Sequence, residues 1–165
     1  MVTVLAALIA VLGTLFGSVV TLYFQRKATD RAAVFASAER LRQDRLHAYN
    51  TFATAAIRCR QSEMDRWNRW REDSAGEPHR AARMESYRAR DALREALLQV
   101  KLVTRDAELH NLGAVVIEHM VKVHDAQDMD AFVLRKAESS TALDGFIERA
   151  GADVQARIAP DGTLG

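Results

Sequence analysis

The sequence predicts an all-α protein: an N-terminal single transmembrane helix continuing into a cytoplasmic antiparallel helical bundle of about four helices. Three observations predict it. The run Val2–Phe24 carries no charge. Neither Gly nor Pro occurs between Gly17 and Gly76, so the two strongest helix breakers are missing over that stretch. Apolar residues beyond it recur at three- and four-residue steps, and no segment alternates with period two, which is the pattern of helices and not of strands. The expected organisation is a transmembrane anchor over 1–27, a cytoplasmic bundle over 28–159 and a disordered tail over 160–165.

The anchor comes first. A span needs about 20 apolar residues to cross a bilayer core, and Val2–Phe24 is long enough to do so with some tilt. The segment lacks the basic start and small-residue cleavage site of a secretory leader, and it ends on Tyr23 and Phe24, rings suited to the headgroup level. Arg26, Lys27 and Arg31 follow it, so the positive-inside bias places the N-terminus outside the cell membrane and the remainder in the cytoplasm. Ala6, Ala10, Gly13, Gly17 and Thr21 repeat at three- and four-residue spacing. Such a small-residue stripe lets two membrane helices approach closely, which makes it a candidate helix-association face and the chain a candidate homo-oligomer. Small residues are also common in spans that do not associate.

The membrane helix is expected to run on into a cytoplasmic helix ending near Asp73, with Leu46, Tyr49, Ala53, Ala56, Cys59 or Arg60, Met64, Trp67 and Trp70 on one face. Gly76 and Pro78 mark the break: Gly ends one helix and Pro begins the next. The second helix runs to about Val103, with Ala89, Leu93, Leu97 and Val100 inward. Thr104 is the expected cap of a third helix, whose inner face is Leu109, Leu112, Val116, Met120 and Val123. Asp128 is the expected cap of a fourth, with Met129, Phe132, Val133, Leu143, Ile147, Ala150, Val154 and Ile158 following the helical period. Pro160 and Gly162 end it. Short connections favour antiparallel neighbours. The alternative is a long helical hairpin, coiled-coil-like, that completes its core by dimerising.

Charge is unevenly placed. Arg26–Val103 holds 17 basic and 11 acidic residues, whereas Thr104–Gly165 holds 6 and 11, although the whole chain sums to +1. The first half is suited to phosphates or lipid headgroups, unless the two halves simply neutralise each other by packing together. Cys59 is the only cysteine, which excludes an internal disulfide and a thiolate metal site. The five histidines, His47, His79, His110, His119 and His124, form no matched ligand pairs on two helices. No glycine-rich phosphate loop follows a strand. We therefore expect no catalytic, cofactor-binding or metal-binding residues, and a protein that is not an enzyme.

The most informative cluster is "RCRQSEMDRWNRW" with the start of the next helix. Arg58, Arg60, Arg66, Arg69 and Arg71 accompany Trp67 and Trp70, and Arg80 and Arg83 follow. The plainest reading puts both Trp rings in the core and pairs the arginines with Glu63, Asp65, Glu72 and Asp73. The next is docking of an unidentified cytoplasmic protein, for which Trp and Arg are favoured anchors. The third is single-stranded nucleic acid, held by phosphate contacts and base stacking.

"AVLGTLFGSVVTLYFQRKATDRA", "ERLRQDRLHAYNTFA" and "DRWNRWRED" resemble short streptomycete membrane proteins of the KilB plasmid-spread family, a likeness expected to reach from the span through the second helix and to fade after about residue 105. The resemblance implies a membrane-anchored accessory in conjugative plasmid spread, without catalytic residues. With the residue pattern, it leads to the expectation of a non-enzymatic membrane protein whose bundle self-associates or binds a partner. The alternative is a membrane-tethered nucleic-acid-binding protein using the Arg/Trp hairpin.

Overall fold

The computed structural model describes the backbone of residues 2–156 and the side chains of residues 35–156. Four α-helices follow one another: α1 (Val2–Glu72), α2 (Glu77–Val103), α3 (Ala107–Lys122) and α4 (Met129–Ala156), with a 3₁₀ turn at Val123–Asp125 before α4. There is no strand among the described residues. The chain divides into two units, Met1–Leu41 and Arg42–Gly165.

The second unit is a four-helix bundle. Tyr49 on α1 meets Asp153 on α4, and Arg45 meets Val103 at the end of α2. Farther along α1, Glu63 meets Arg90 in the middle of α2, and Trp67 meets Ala126, just before α4 starts. These pairings run α2 and α4 antiparallel to α1, so the up-down order expected from the short connections is the one observed.

The segment Val2–Phe24, with Ala6, Ala10, Gly13, Gly17 and Thr21, lies outside the residues whose side chains are described. So does the tail from Arg157 onward, including Ile158, Pro160 and Gly162. Among the described residues no helix is long and apolar enough to cross a membrane.

The inner face of α1 differs from the expected one by a rotation. Ala48, Tyr49, Phe52, Ala56, Cys59, Glu63 and Trp67 are buried, whereas Leu46 and Trp70 are exposed. Phe52 and Phe146 pack with ring centroids 4.5 Å apart, and Tyr49 meets Phe146 edge-on. Phe146 takes the buried place on α4 that the periodicity assigned to Ile147, which is exposed, as are Met129 and Val133. Leu93, Val100, Leu109, Val116 and Met120 complete the main core. Fully burying one such side chain contributes about 1.5–3 kcal/mol. A smaller cluster of Trp67, Val123, Ala126 and Phe132 lies at one end of the bundle.

The caps depart from expectation in two places. Asp106, not Thr104, caps α3: its carboxylate accepts from Glu108 N at 2.9 Å and Leu109 N at 3.2 Å. A carboxylate there satisfies two orphan amides and faces the positive helix end. Thr104 is instead the C-cap of α2, and its hydroxyl accepts from Asp106 N. Gly76 is the N-cap of α2 with an ordinary extended backbone, and α1 has already ended at Glu72. A Cβ on Gly76 would lie 2.6 Å from the carboxylate of the exposed Asp73, which would have to shift to admit it. Asp128 caps α4 as expected, accepting from Ala131 N at 2.8 Å.

Candidate interaction site at the α1–α2 turn

The end of α1 and the start of α2 carry most of the arginines singled out in the sequence, and the structure distributes them by partner. Trp67 is inside. Its ring stacks on Phe132 with centroids 4.0 Å apart and 11° between planes, and Nε1 donates to Ala126 O at 2.7 Å. The indole N–H is therefore satisfied without water, as a buried Trp requires. Arg71 lies over the outer edge of this cluster, 4.9 Å from the Trp67 ring centroid. Trp70, one turn on, is 47% exposed.

Several arginines are engaged on the surface of their own helix. Arg69 pairs with Asp65 and Glu72, and Arg80 with Glu77. Pairs of this kind between exposed side chains are worth no more than about 1 kcal/mol. Arg60 points elsewhere, donating to Ser140 on α4 at 2.5 Å. Arg58 lines a shallow groove between α1 and α2 of about 750 Å³, whose floor is made of small residues such as Ala55, Ala89 and Ala96. The cluster thus splits: Arg58 and Arg60 leave it, Trp67 is buried beneath it, and Arg66, Trp70 and Arg83 come together.

Arg66, Trp70 and Arg83 line one recess of about 340 Å³ with His79, His124 and Asp125. The Arg83 guanidinium has no ion-pair or hydrogen-bond partner among the described residues, and the Arg83 carbonyl accepts from Ser86 Oγ at 2.9 Å. Arg66 is held loosely, 3.5 Å from Ser86 Oγ and 3.9 Å from the Glu63 carboxylate, with its guanidinium over the Tyr87 ring. Burial lowers the pKa of Arg66 from its ordinary value, against the pull of Glu63.

Behind the recess is a buried ionic network centred on Glu63, which the sequence reading paired with arginines without identifying Arg90 or His124 as its partners. Glu63 is fully buried and accepts from Arg90 at 2.5 and 2.9 Å, a two-pronged pair across α1 and α2. His124 Nδ1 lies 3.1 Å from the same carboxylate, and His124 Nε2 lies 2.8 Å from Asp125. Burial pushes the Glu63 pKa up, but the hydrogen bonds and charges of Arg90 and His124 outweigh it and hold the carboxyl below its usual range. The sequence signal was Glu63's position four residues from Cys59 and four from Trp67, on the apolar face.

Cys59 is buried, and desolvation, followed by the Glu63 charge, pushes its thiol up to about 12. A thiol so far from the thiolate form is a poor nucleophile at neutral pH. Among the described residues no group of three or more His, Cys, Asp or Glu is placed to hold a metal ion.

The residues that build this bundle match a known family over most of their length. The KilB plasmid transfer protein family matches residues 46–154. The match starts within α1 after the apolar run, and it continues through α3 and α4, so the likeness extends well past residue 105, where it was expected to fade. No curated protein and no solved structure matches the chain. With more than half of its length matched, the chain belongs to the KilB plasmid transfer protein family.

Proposed function

We propose that the protein is a non-enzymatic accessory of plasmid transfer: a single-pass membrane protein whose cytoplasmic four-helix bundle docks a partner protein. Membership of a plasmid transfer family is the observation that carries this reading. Two features support its form. Val2–Phe24 has the length and composition of a membrane span, and the basic residues after it orient the bundle to the cytoplasm. The α1–α2 turn presents a half-exposed Trp70 flanked by Arg69 and Arg71 and sharing a recess with Arg66 and Arg83, the residue types that dominate binding hot spots. The stripe Ala6, Ala10, Gly13, Gly17 and Thr21 supports self-association within the bilayer.

The test is complementation of a strain lacking the gene, with plasmid transfer frequency and membrane fractionation as readouts. The full chain should restore transfer and sediment with membranes. A chain lacking residues 1–27 should be released and fail to restore it, and transfer at the full level from the released protein would refute the tether. Gly13→Ile with Gly17→Ile should lower oligomer content in a membrane two-hybrid assay, and an unchanged signal would refute that face.

A second reading, nucleic-acid binding through the Arg/Trp region, is favoured by the unpartnered Arg83 beside Trp70. A salt-dependent shift with single-stranded DNA supports it, and no binding at low salt removes it.

A further inference from the structure

We infer that the recess at the α1–α2 turn binds the phosphate of a nucleotide, with the attached base stacked on Trp70. The inference deepens the second reading above: it locates the contact at one site and one chemical group instead of along a strand.

Four observations converge on it. The recess has a volume of about 340 Å³, at the lower end of the range of about 300–1,000 Å³ for small-molecule sites. Two guanidinium groups line it, and that of Arg83 is not consumed by the protein. The Arg83 guanidinium has no partner among the described residues, whereas Arg66 lies over the Tyr87 ring and keeps long contacts of 3.5 Å to Ser86 and 3.9 Å to Glu63. His79, also on the lining, has a buried Nδ1 with no hydrogen-bond partner, the condition in which a polar atom gains most from a ligand. Trp70 presents a half-exposed ring to the same space, while Trp67 is occupied by Phe132.

The charge balance of the lining fits an anion. The acidic member is Asp125, and its carboxylate lies 2.8 Å from His124 Nε2. Two permanent cations therefore line the recess, Arg66 partly balanced by Glu63 at 3.9 Å, against one lining carboxylate that is already engaged. Arginine forks suit phosphate oxygens. A carboxylate or phosphoserine ligand would use the arginines but leave the flat indole uncovered. A base attached to the phosphate uses both, since every base has a π-face that stacks on an aromatic ring.

The source of the nucleotide is either a free nucleoside monophosphate or the 5′-phosphorylated end of a single strand, and the chemistry at the recess is the same.

The test is titration of the full chain in detergent with deoxyadenosine 5′-monophosphate, deoxyadenosine, inorganic phosphate and a phosphoserine peptide. Oligodeoxyadenylate with and without a 5′-phosphate completes the set. The monophosphate should bind at least about tenfold more tightly than the nucleoside, phosphate or peptide. Trp70→Ala should weaken the monophosphate by about tenfold and leave inorganic phosphate unchanged. Arg83→Gln should weaken both and reduce the salt dependence. Emission from Trp67, the remaining indole in Trp70→Ala, reports that the bundle is folded. A 5′-phosphorylated oligonucleotide that outbinds both its unphosphorylated form and the monophosphate assigns the site to strand ends. One that binds no better than the monophosphate assigns it to the free nucleotide.

Absence of monophosphate binding at millimolar concentration overturns the inference, as does binding indifferent to both substitutions, or equal binding of the phosphoserine peptide. Single strands bound alike with or without the 5′-phosphate, while the monophosphate is not bound, overturn this site and leave the second reading standing.

Discussion

Where α2 finishes and α3 begins, polar side chains are spent on holding the bundle together. Tyr49 donates to Asp153 at 2.8 Å. Arg45, only 8% exposed, donates to Val103 O at 2.9 Å, placing a cation at the negative end of α2. Arg149 on α4 reaches Asp106 and Glu108 at the start of α3. At the opposite end the same residue types are arranged otherwise. Glu63 and Arg90 are paired inside, but Arg83, Arg66 and the Trp70 ring are left facing a recess. Arginines that meet backbone carbonyls or carboxylates join helices, whereas arginines around an open cavity are available to a ligand. The difference lies in what stands opposite each guanidinium, not in how many there are.

That contrast can be broken most sharply at Trp67. Trp67→Ala removes the ring stacked on Phe132 and leaves the Ala126 carbonyl without its donor, a loss of about 3–5 kcal/mol for a large buried aromatic. Thermal unfolding followed by circular dichroism should show it as a Tm lower by on the order of 10 °C or more.

Next is Glu63→Gln. It leaves the Arg90 guanidinium without its counter-charge, at a cost of about 3 kcal/mol, the low end for a buried pair because Arg90 keeps 15% exposure. The pH dependence has a definite sign. The folded carboxyl titrates below its unfolded value, so its contribution is present above about pH 4.3. It is lost as the pH falls through the lower folded value. Glu63→Gln should flatten that part of the stability profile, and an unchanged acid limb would remove Glu63 from this role.

At the closed end, Tyr49→Phe deletes one buried hydrogen bond to Asp153 and should cost about 1 kcal/mol. Burial and the Asp153 carboxylate raise the Tyr49 phenol to about 12. Its ultraviolet ionisation should accordingly lag behind that of an exposed tyrosine in an alkaline titration.

The smallest effects on stability belong to the recess. Arg83→Gln and Trp70→Ala should each change stability by less than about 0.5 kcal/mol, as is usual for exposed side chains without partners. A loss of 2 kcal/mol or more in chemical unfolding, as an order of magnitude, would show that they belong to the structure and not to a binding surface.

Much of the scaffold was legible in the chain. Leu109, Val116 and Met120 fall on the inner face of α3 as their spacing predicts, Val123 is buried in the turn that follows it, and Leu93, Leu97 and Val100 are buried on α2. Apolar residues at helical period have little choice of side once the segment is a helix. Cys59 on the apolar face of α1 is likewise buried. Glu63 was legible as a partner of arginines but not as a buried one, because Arg90, which stands opposite it, is 27 residues along the chain. The pair Phe146 and Ile147 shows the same limit, since adjacent apolar residues point about 100° apart and only the neighbouring helices decide which is covered.

The sequence alone determined the helical class, the positions of the breaks at Asp73–Pro78 and Thr104–Asp106, and a strongly apolar N-terminal segment. These follow from local rules: breakers, caps and the 3.6-residue period act within a few residues of one another. Only the tertiary structure decided that, of the two Trp rings the sequence placed in the core, Trp67 is inside and Trp70 is on the surface. It also decided that Glu63 is an internal counter-ion and that Arg66, Arg83 and His79 share a recess with His124. Burial and charge pairing depend on which side chains the packed helices bring face to face, and residues distant in the chain supply those partners.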